Sequence, residues 1–154
     1  MSARIIIGLA ADERAAGQIQ VAAADSGELT PCSRADELVE SVTRTPNVVA
    51  VITELWDVDG RPMAPAVRRL RHWRATLPVI AFCRLTPRTA REIVTMAAAG
   101  VSAIAIRDHE DLGDLLRSVI EPRRSGVLYQ RRSASSIART ADASTAGENK
   151  YPWP

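Results

Sequence analysis

Five side chains that can do chemistry lie at or near the ends of short apolar runs in this chain. Asp12 and Glu13 follow the first run, Glu54 lies near the end of a second, and Cys83 and Arg107 end two others. If these runs are parallel strands, their carboxyl ends open onto one crevice of the sheet. Carboxylates are the oxygen ligands that a hard cation such as Mg²⁺ takes, and a thiol at such an edge is a candidate nucleophile. These five residues form the candidate site.

Each of these residues also has a structural interpretation. Asp12 and Glu13 suit the N-cap and the first turn of a helix, where the helix dipole favours acids, and we favour that interpretation over a metal site. We likewise favour a buried structural thiol at Cys83 over a reactive one. His72 and His109 have no companion at the spacing of zinc ligands. We therefore expect no metal, no cofactor and no catalytic residue.

Hydrophobic periodicity and turn signals predict five strands that alternate with five helices. Asp12, Ser33, Thr86 and Asp108 are the candidate N-caps. In the fourth helix the predicted buried stripe is Ala90, Ile93, Val94, Ala97 and Ala98; in the third helix it is Val67, Leu70 and Trp73. The predicted strands are Ile5–Ala10, Glu28–Cys32, Val48–Leu55, Val79–Cys83 and Ala103–Arg107, and the predicted helices are Asp12–Asp25, Arg34–Arg44, Pro65–Ala75, and two that follow Thr86 and Asp108.

Strict alternation of strands and helices predicts an α/β fold, with one parallel sheet covered by helices on both faces. We expect one domain over residues 1–122. Residues 123–154 lack apolar periodicity and are rich in Ser, Ala and Arg, which predicts a disordered tail that the domain does not need for folding.

Bulk composition excludes several classes of protein. The formal net charge of +2 over 154 residues argues against nucleic-acid binding by the whole domain. Weak, salt-sensitive affinity for nucleic acid through the arginines of the tail is the most that we expect. The tail arginines are Arg123, Arg124, Arg131, Arg132 and Arg139.

No apolar run approaches the roughly 18 residues of a membrane helix, and the first run is too short for a signal peptide. A cytoplasmic location is the resulting expectation.

The stretch 77–120 resembles the second half of a response-regulator receiver domain. Ala-Ala-Gly-Val-Ser-Ala-Ile at 98–104 is similar to the family's habit of Ala-Gly-Ala before the fifth strand. The resemblance extends over residues 4–121 and implies a flavodoxin-like (βα)5 sheet with strand order 2-1-3-4-5. That order places the second and fourth strands about 14 Å apart, which excludes a disulfide between Cys32 and Cys83.

Receivers of this family take a phosphoryl group from a histidine kinase onto an aspartate that ends the third strand. The resemblance assigns Glu54 to that aspartate, Cys83 to the family's Ser or Thr, and Arg107 to its Lys. The family's acidic pair, which holds Mg²⁺, is either displaced by about two residues to Asp12 and Glu13 or has become a helix cap. With all these positions altered, phosphoryl transfer is not expected.

We therefore expect a degenerate receiver, or pseudo-receiver, that regulates two-component-type signalling through protein contacts and is not an enzyme. Glu54 mimics a phosphorylated state, caps the next helix or pairs with Arg107. The partner is a protein or a second copy, bound through the face of the fourth helix, fifth strand and fifth helix. The domain is expected to be either a stand-alone adaptor or the N-terminal part of a transcriptional regulator, and both alternatives are kept. The alternatives are a true phospho-accepting receiver with altered residues, and a small doubly wound ligand-binding domain or enzyme.

Overall fold

The structure, a computed structural model, describes residues 2–121 of the 154. The predicted tail at 123–154 lies outside the described residues. The five strands are β1 (Ile5–Leu9), β2 (Glu28–Cys32), β3 (Val48–Thr53), β4 (Val79–Cys83) and β5 (Ala103–Ile106). The five helices are α1 (Glu13–Ala23), α2 (Ala35–Arg44), α3 (Ala64–Trp73), α4 (Pro87–Ala99) and α5 (Leu112–Ile120).

The strands form one parallel sheet in the order β2-β1-β3-β4-β5, which confirms the predicted flavodoxin-like fold. Leu9, the last residue of β1, pairs with both Cys32 and Thr53. Cys83, the last residue of β4, pairs with Ile106 of β5. This register brings the carboxyl ends of the strands to one edge, where the candidate site residues begin.

Alternate residues of each strand enter two separate cores. Ile6, Ile52 and Ile80 pack beneath α1 and α5, whereas Ile7, Val51 and Val79 pack beneath α2, α3 and α4. Because both faces are covered, the central strands read as continuous apolar runs rather than as alternating ones. None of the helices in residues 2–121 is long and apolar enough to cross a membrane.

Two of the four predicted N-caps are confirmed. The Asp12 carboxylate accepts a hydrogen bond from the Ala15 N–H at 2.7 Å and begins α1. The Thr86 hydroxyl accepts from the Thr89 N–H at 3.2 Å and begins α4, which ends at Gly100 with a φ of 104°. Each cap satisfies an N–H group that the helix cannot satisfy itself.

The other two predicted N-caps are wrong. Arg34, not Ser33, holds the cap position of α2, and its side chain makes no capping bond. Asp108 lies in the turn after β5 with a φ of 68°, and Asp111 caps α5 by accepting from the Asp114 N–H at 3.0 Å. Both errors arise because the loop continues for one or more residues beyond the first residue suited to a cap.

The predicted buried stripe of α4 is also wrong, except for Ile93, which packs partly buried against the core. Met96 and Ala99 are the buried residues of this helix, whereas Val94 is 69% exposed. The predicted inward direction of Val67 and Leu70 in α3 is confirmed, but Trp73 is 70% exposed. Packing against the sheet selects the rotation of α4, and its other apolar side chains are left on the outer surface.

Candidate functional site

The sheet brings four of the five candidate residues to its carboxyl edge. Glu54 follows β3 directly, Arg107 follows β5 directly, Cys83 ends β4, and Asp12 caps α1. The exception is Glu13, which lies exposed in the first turn of α1. Four of the five residues therefore lie at one edge of the sheet, and Cys83, Arg107 and Glu54 are largely shielded from solvent there.

Glu54 is a half-buried carboxylate that contacts a backbone N–H group and a guanidinium. Its Oε2 accepts a hydrogen bond from the backbone N–H of Ala11 at 2.5 Å, and its side chain is 14% exposed. Burial raises the pKa of Glu54, an effect that the Ala11 hydrogen bond opposes, that Asp12 increases and that Arg107 opposes. The carboxylate therefore points back to the loop after β1.

Arg107 holds its guanidinium inside the site, with a side chain only 9% exposed. Nε and Nη2 donate to Oε1 of Gln18 on α1, at 3.1 Å and 2.9 Å. The guanidinium also lies 5.0 Å from the centre of the Phe82 ring, within cation–π range. Nη1 is 3.8 Å from Oε1 of Glu54, and Nη2 is 4.0 Å from Oδ1 of Asp12.

The predicted Arg107–Glu54 pair is thus within ion-pair distance, but the hydrogen bonds of the guanidinium go to Gln18. Sequence reasoning missed Gln18 as a site residue. No local pattern marks it, because it lies 89 residues before its partner along the chain.

Receivers hold Mg²⁺ at this edge, and the residues present do not fit that ion. Asp12 uses Oδ1 as the cap of α1, and Glu54 uses Oε2 for the Ala11 N–H. Arg107 places a cation within 4.0 Å of both carboxylates, where a divalent ion would be repelled. Within residues 2–121 no group of three His, Cys, Asp or Glu side chains is arranged to hold a metal ion.

The two cysteines are buried free thiols, as the strand order predicted. Burial raises the pKa of Cys83, and Arg107 opposes this effect only in part. Burial also raises the pKa of Cys32, whose sulfur lies 3.5 Å from the Ser41 hydroxyl. A thiol with a raised pKa is a poor nucleophile at neutral pH, so the geometry favours a structural role for both.

Asp57 is a further buried carboxylate that sequence reasoning did not single out. It is 3% exposed and lies in the loop between β3 and α3. Its Oδ1 accepts from the N–H groups of Asp59 and Arg61 at 3.0 Å and 2.9 Å, and its Oδ2 accepts from Ala35 at 3.1 Å. Burial opposes ionisation, but the hydrogen bonds from Arg61, Ala35 and Asp59 outweigh it and lower the pKa of Asp57.

The Asp57 contacts replace the missing side-chain cap of α2 and close the loop that follows Glu54. The N–H of Val58 also donates to the carbonyl of Ser33, at 2.9 Å. Asp-X-Asp-Gly at 57–60 is a signal for such a turn, since Asp accepts from N–H groups two residues ahead and Gly60 takes a φ of 76°. The loop after β3 is therefore fixed to the start of α2.

A groove of about 430 Å³ lies beside the site, at the carboxyl ends of β1 and β2. Its floor is apolar, with Gly8, Ile19 and Leu29 among its lining residues, and its polar residues include Asp12 and Glu37. The lining contains no Lys or Arg, so this groove is not suited to a nucleotide phosphate.

The chain matches no protein-family model and no curated protein sequence. It is similar in structure to the receiver domain of a histidine kinase from Syntrophus aciditrophicus, with a TM-score of 0.65 and 15% identity over 79% of this chain and 92% of that one. The chemotaxis response regulator CheY4 of Vibrio cholerae has a TM-score of 0.63 and 12% identity over 77% of this chain and 99% of that one.

The receiver domain of NtrX from Brucella abortus has a TM-score of 0.63 and 14% identity, covering 77% of this chain and 99% of its own. All three structures are similar in fold to this chain. The described part of this chain therefore has the receiver fold of response regulators.

Proposed function

We propose that this domain is a receiver-like signalling module that works through protein contacts and does not accept a phosphoryl group. The observation that carries the proposal is the engagement of Glu54, the residue directly after β3, by the Ala11 N–H and the Arg107 guanidinium. These two groups lie where a phosphoryl group and its metal would have to enter.

Three features support the loss of phosphoryl transfer. The nucleophile position holds a glutamate with a raised pKa, Asp12 serves as a helix cap, and Arg107 is bound to Gln18 and Phe82. Transfer to a carboxylate depends on a positioned cation pair to offset the charge of the phosphoryl oxygens. In this chain the Arg107 guanidinium is already bound inside the fold, by Gln18 and Phe82.

The test is incubation of the full chain with acetyl phosphate and Mg²⁺, followed by intact-mass measurement. We expect no gain of a phosphoryl mass. Glu54→Asp, which restores the usual nucleophile, should also stay unmodified, because Asp12 and Arg107 are unchanged. A gain of one phosphoryl mass that Glu54→Gln abolishes would support the phospho-accepting alternative instead.

The outer surface of α4, the edge strand β5 and α5 is the proposed contact face for a protein partner or a second copy. Val94 and Leu85 are 69% and 65% exposed, and β5 pairs with β4 alone among the described strands. An apolar helix face beside an open sheet edge is suited to burial against another protein.

Light scattering after size-exclusion chromatography tests this face at several concentrations of the full chain. We expect concentration-dependent dimers that Val94→Glu removes and that Val21→Glu, a matched change on exposed α1, leaves unchanged. A monomer at all concentrations would rule out the second copy and leave a different protein as the partner.

A further inference from the structure

Positive charge is concentrated in one segment of this fold. From Pro62 to Arg91 the chain holds seven arginines and one histidine and no Asp or Glu. Residues 2–121 as a whole hold 14 arginines and 16 carboxylates, so the described domain as a whole is not basic. The excess of arginine therefore belongs to α3, α4 and the segments that join them.

Most of these arginines are exposed and without an ionic partner. Arg68 and Arg69 project from α3, and Arg84, Arg88 and Arg91 from α4 and the loop before it. None of the five forms a salt bridge with a carboxylate in residues 2–121, although six other arginines there do. Unpaired, clustered guanidinium groups are the footprint that a polyanion requires.

Arg71 differs from the exposed arginines because its guanidinium donates hydrogen bonds to backbone carbonyls. Its Nε donates to the carbonyl of Gly100 at the end of α4, and its Nη1 donates to the carbonyl of Leu77, both at 2.5 Å. This contact ties α3 to α4, which pack side by side and run in the same direction. The exposed arginines therefore lie on the outer surfaces of two adjacent helices, of which α4 alone extends for about 20 Å.

An exposed aromatic ring lies at one end of this surface. Trp73 ends α3 with 70% of its area exposed, in a groove that Arg69 and Arg44 also line. Both acids of this groove are paired, Glu40 with Arg44 at 2.6 Å and Asp36 with Arg61 at 3.9 Å. A large flat ring beside Arg69, which forms no salt bridge in residues 2–121, suits an unstacked base next to its phosphate.

We propose that this surface, the basic face, binds single-stranded nucleic acid. It consists of Arg68, Arg69, Trp73, Arg88 and Arg91, with Arg84 at its rim. The arginines contact backbone phosphates, and Trp73 stacks on one base. Duplex nucleic acid would use only the phosphate contacts, because its bases are already stacked. Arg91 and Val94 lie one helical turn apart on α4, so the basic face adjoins the contact face proposed above.

The test is fluorescence anisotropy with the full chain and a labelled oligouridylate of about 20 nucleotides, at salt concentrations from about 50 to 200 mM. One variant carries Arg68→Gln, Arg88→Gln and Arg91→Gln. Its control carries Arg4→Gln, Arg14→Gln and Arg34→Gln, which remove the same charge from other surfaces. Both variants keep the tail arginines, and circular dichroism establishes that both are folded.

We expect the basic-face variant to bind at least tenfold more weakly and the control to change less than twofold. The slope of log Kd against log salt should fall by about 2, because three phosphate contacts each release about 0.7 counterions on a single strand. Trp73→Leu should weaken oligouridylate binding about fivefold or more and leave binding of a duplex of equal length unchanged.

Three results would overturn the proposal. The first is no binding at the lowest salt concentration, and the second is equal weakening in the basic-face variant and its control. The third is competition by polyglutamate as effective as competition by unlabelled oligouridylate, which would assign the face to an acidic protein surface.

Discussion

Arg107 and Gln18 form a contact at the carboxyl edge of the sheet, beside Glu54. Two guanidinium nitrogens of Arg107 donate to a single amide oxygen of Gln18, and the nearest oxygen of Glu54 is farther away, at 3.8 Å. Gln18, a neutral residue of α1, therefore orients the Arg107 guanidinium, and Glu54, the residue after β3, lies within ion-pair distance of it. This arrangement keeps Arg107 inside the protein.

We predict that Gln18→Leu destabilises the domain by about 1–3 kcal/mol, because it leaves a largely buried guanidinium without its hydrogen-bond acceptor. Urea denaturation of the full chain at neutral pH measures the change. Gln20→Leu, two residues along on the exposed surface of α1, is the matched control and should change the free energy of unfolding by less than about 0.5 kcal/mol. Equal effects of the two substitutions would contradict the role of Gln18.

We predict that Glu54 and Arg107 are energetically coupled although they share no hydrogen bond. A double-mutant cycle with Glu54→Gln and Arg107→Met should give a coupling energy between about 0.5 and 3 kcal/mol, since both side chains are largely shielded from solvent. Additivity of the two substitutions would show that the acid and the cation act independently.

We predict a pH dependence for Glu54 from its raised pKa. The folded protein binds this proton more tightly than the unfolded chain, whose Glu pKa is about 4.3. The contribution of Glu54 to stability is therefore fully present below that value and is lost as pH rises through the pKa of the folded state. Relative to the unchanged protein, Glu54→Gln should be more stable at pH 7 than at pH 4. Chemical denaturation at the two values tests the sign, and a change in the opposite direction would refute it.

We predict that Asp57→Asn destabilises the domain by about 1–3 kcal/mol at pH 7. The carboxylate accepts three N–H bonds, and an amide presents one oxygen and two donors in its place. Because the folded pKa of Asp57 is lowered, its contribution is present above the unfolded pKa of about 3.9 and is lost as pH falls through the folded pKa. The difference between Asp57→Asn and the unchanged protein should therefore shrink as the pH falls below about 4.

The control for Asp57 is Asp59→Asn in the same loop, whose side chain is 46% exposed. This substitution should cost less than about 0.5 kcal/mol. If Asp57→Asn is equally mild, the loop after β3 does not depend on the buried carboxylate.

The sequence by itself determined the strands and the places where chemistry could occur. Short apolar runs between turn signals predicted β2 and β4 with their observed bounds, and Asp12 and Thr86 were identified as caps, because these are local properties of a few consecutive residues. The predicted ends of the strands then gave the positions of Glu54, Cys83 and Arg107 relative to the sheet.

Tertiary packing decided what the sequence left open. The apolar pattern of α4 fits more than one rotation of the helix, and only contact with the sheet selects Met96 as its buried residue and leaves Val94 outside. Gln18 meets Arg107 across 89 residues, and Asp57 caps α2 across 22. Such contacts carry no periodic signal in the chain, because they depend on how separate elements are placed against one another in space.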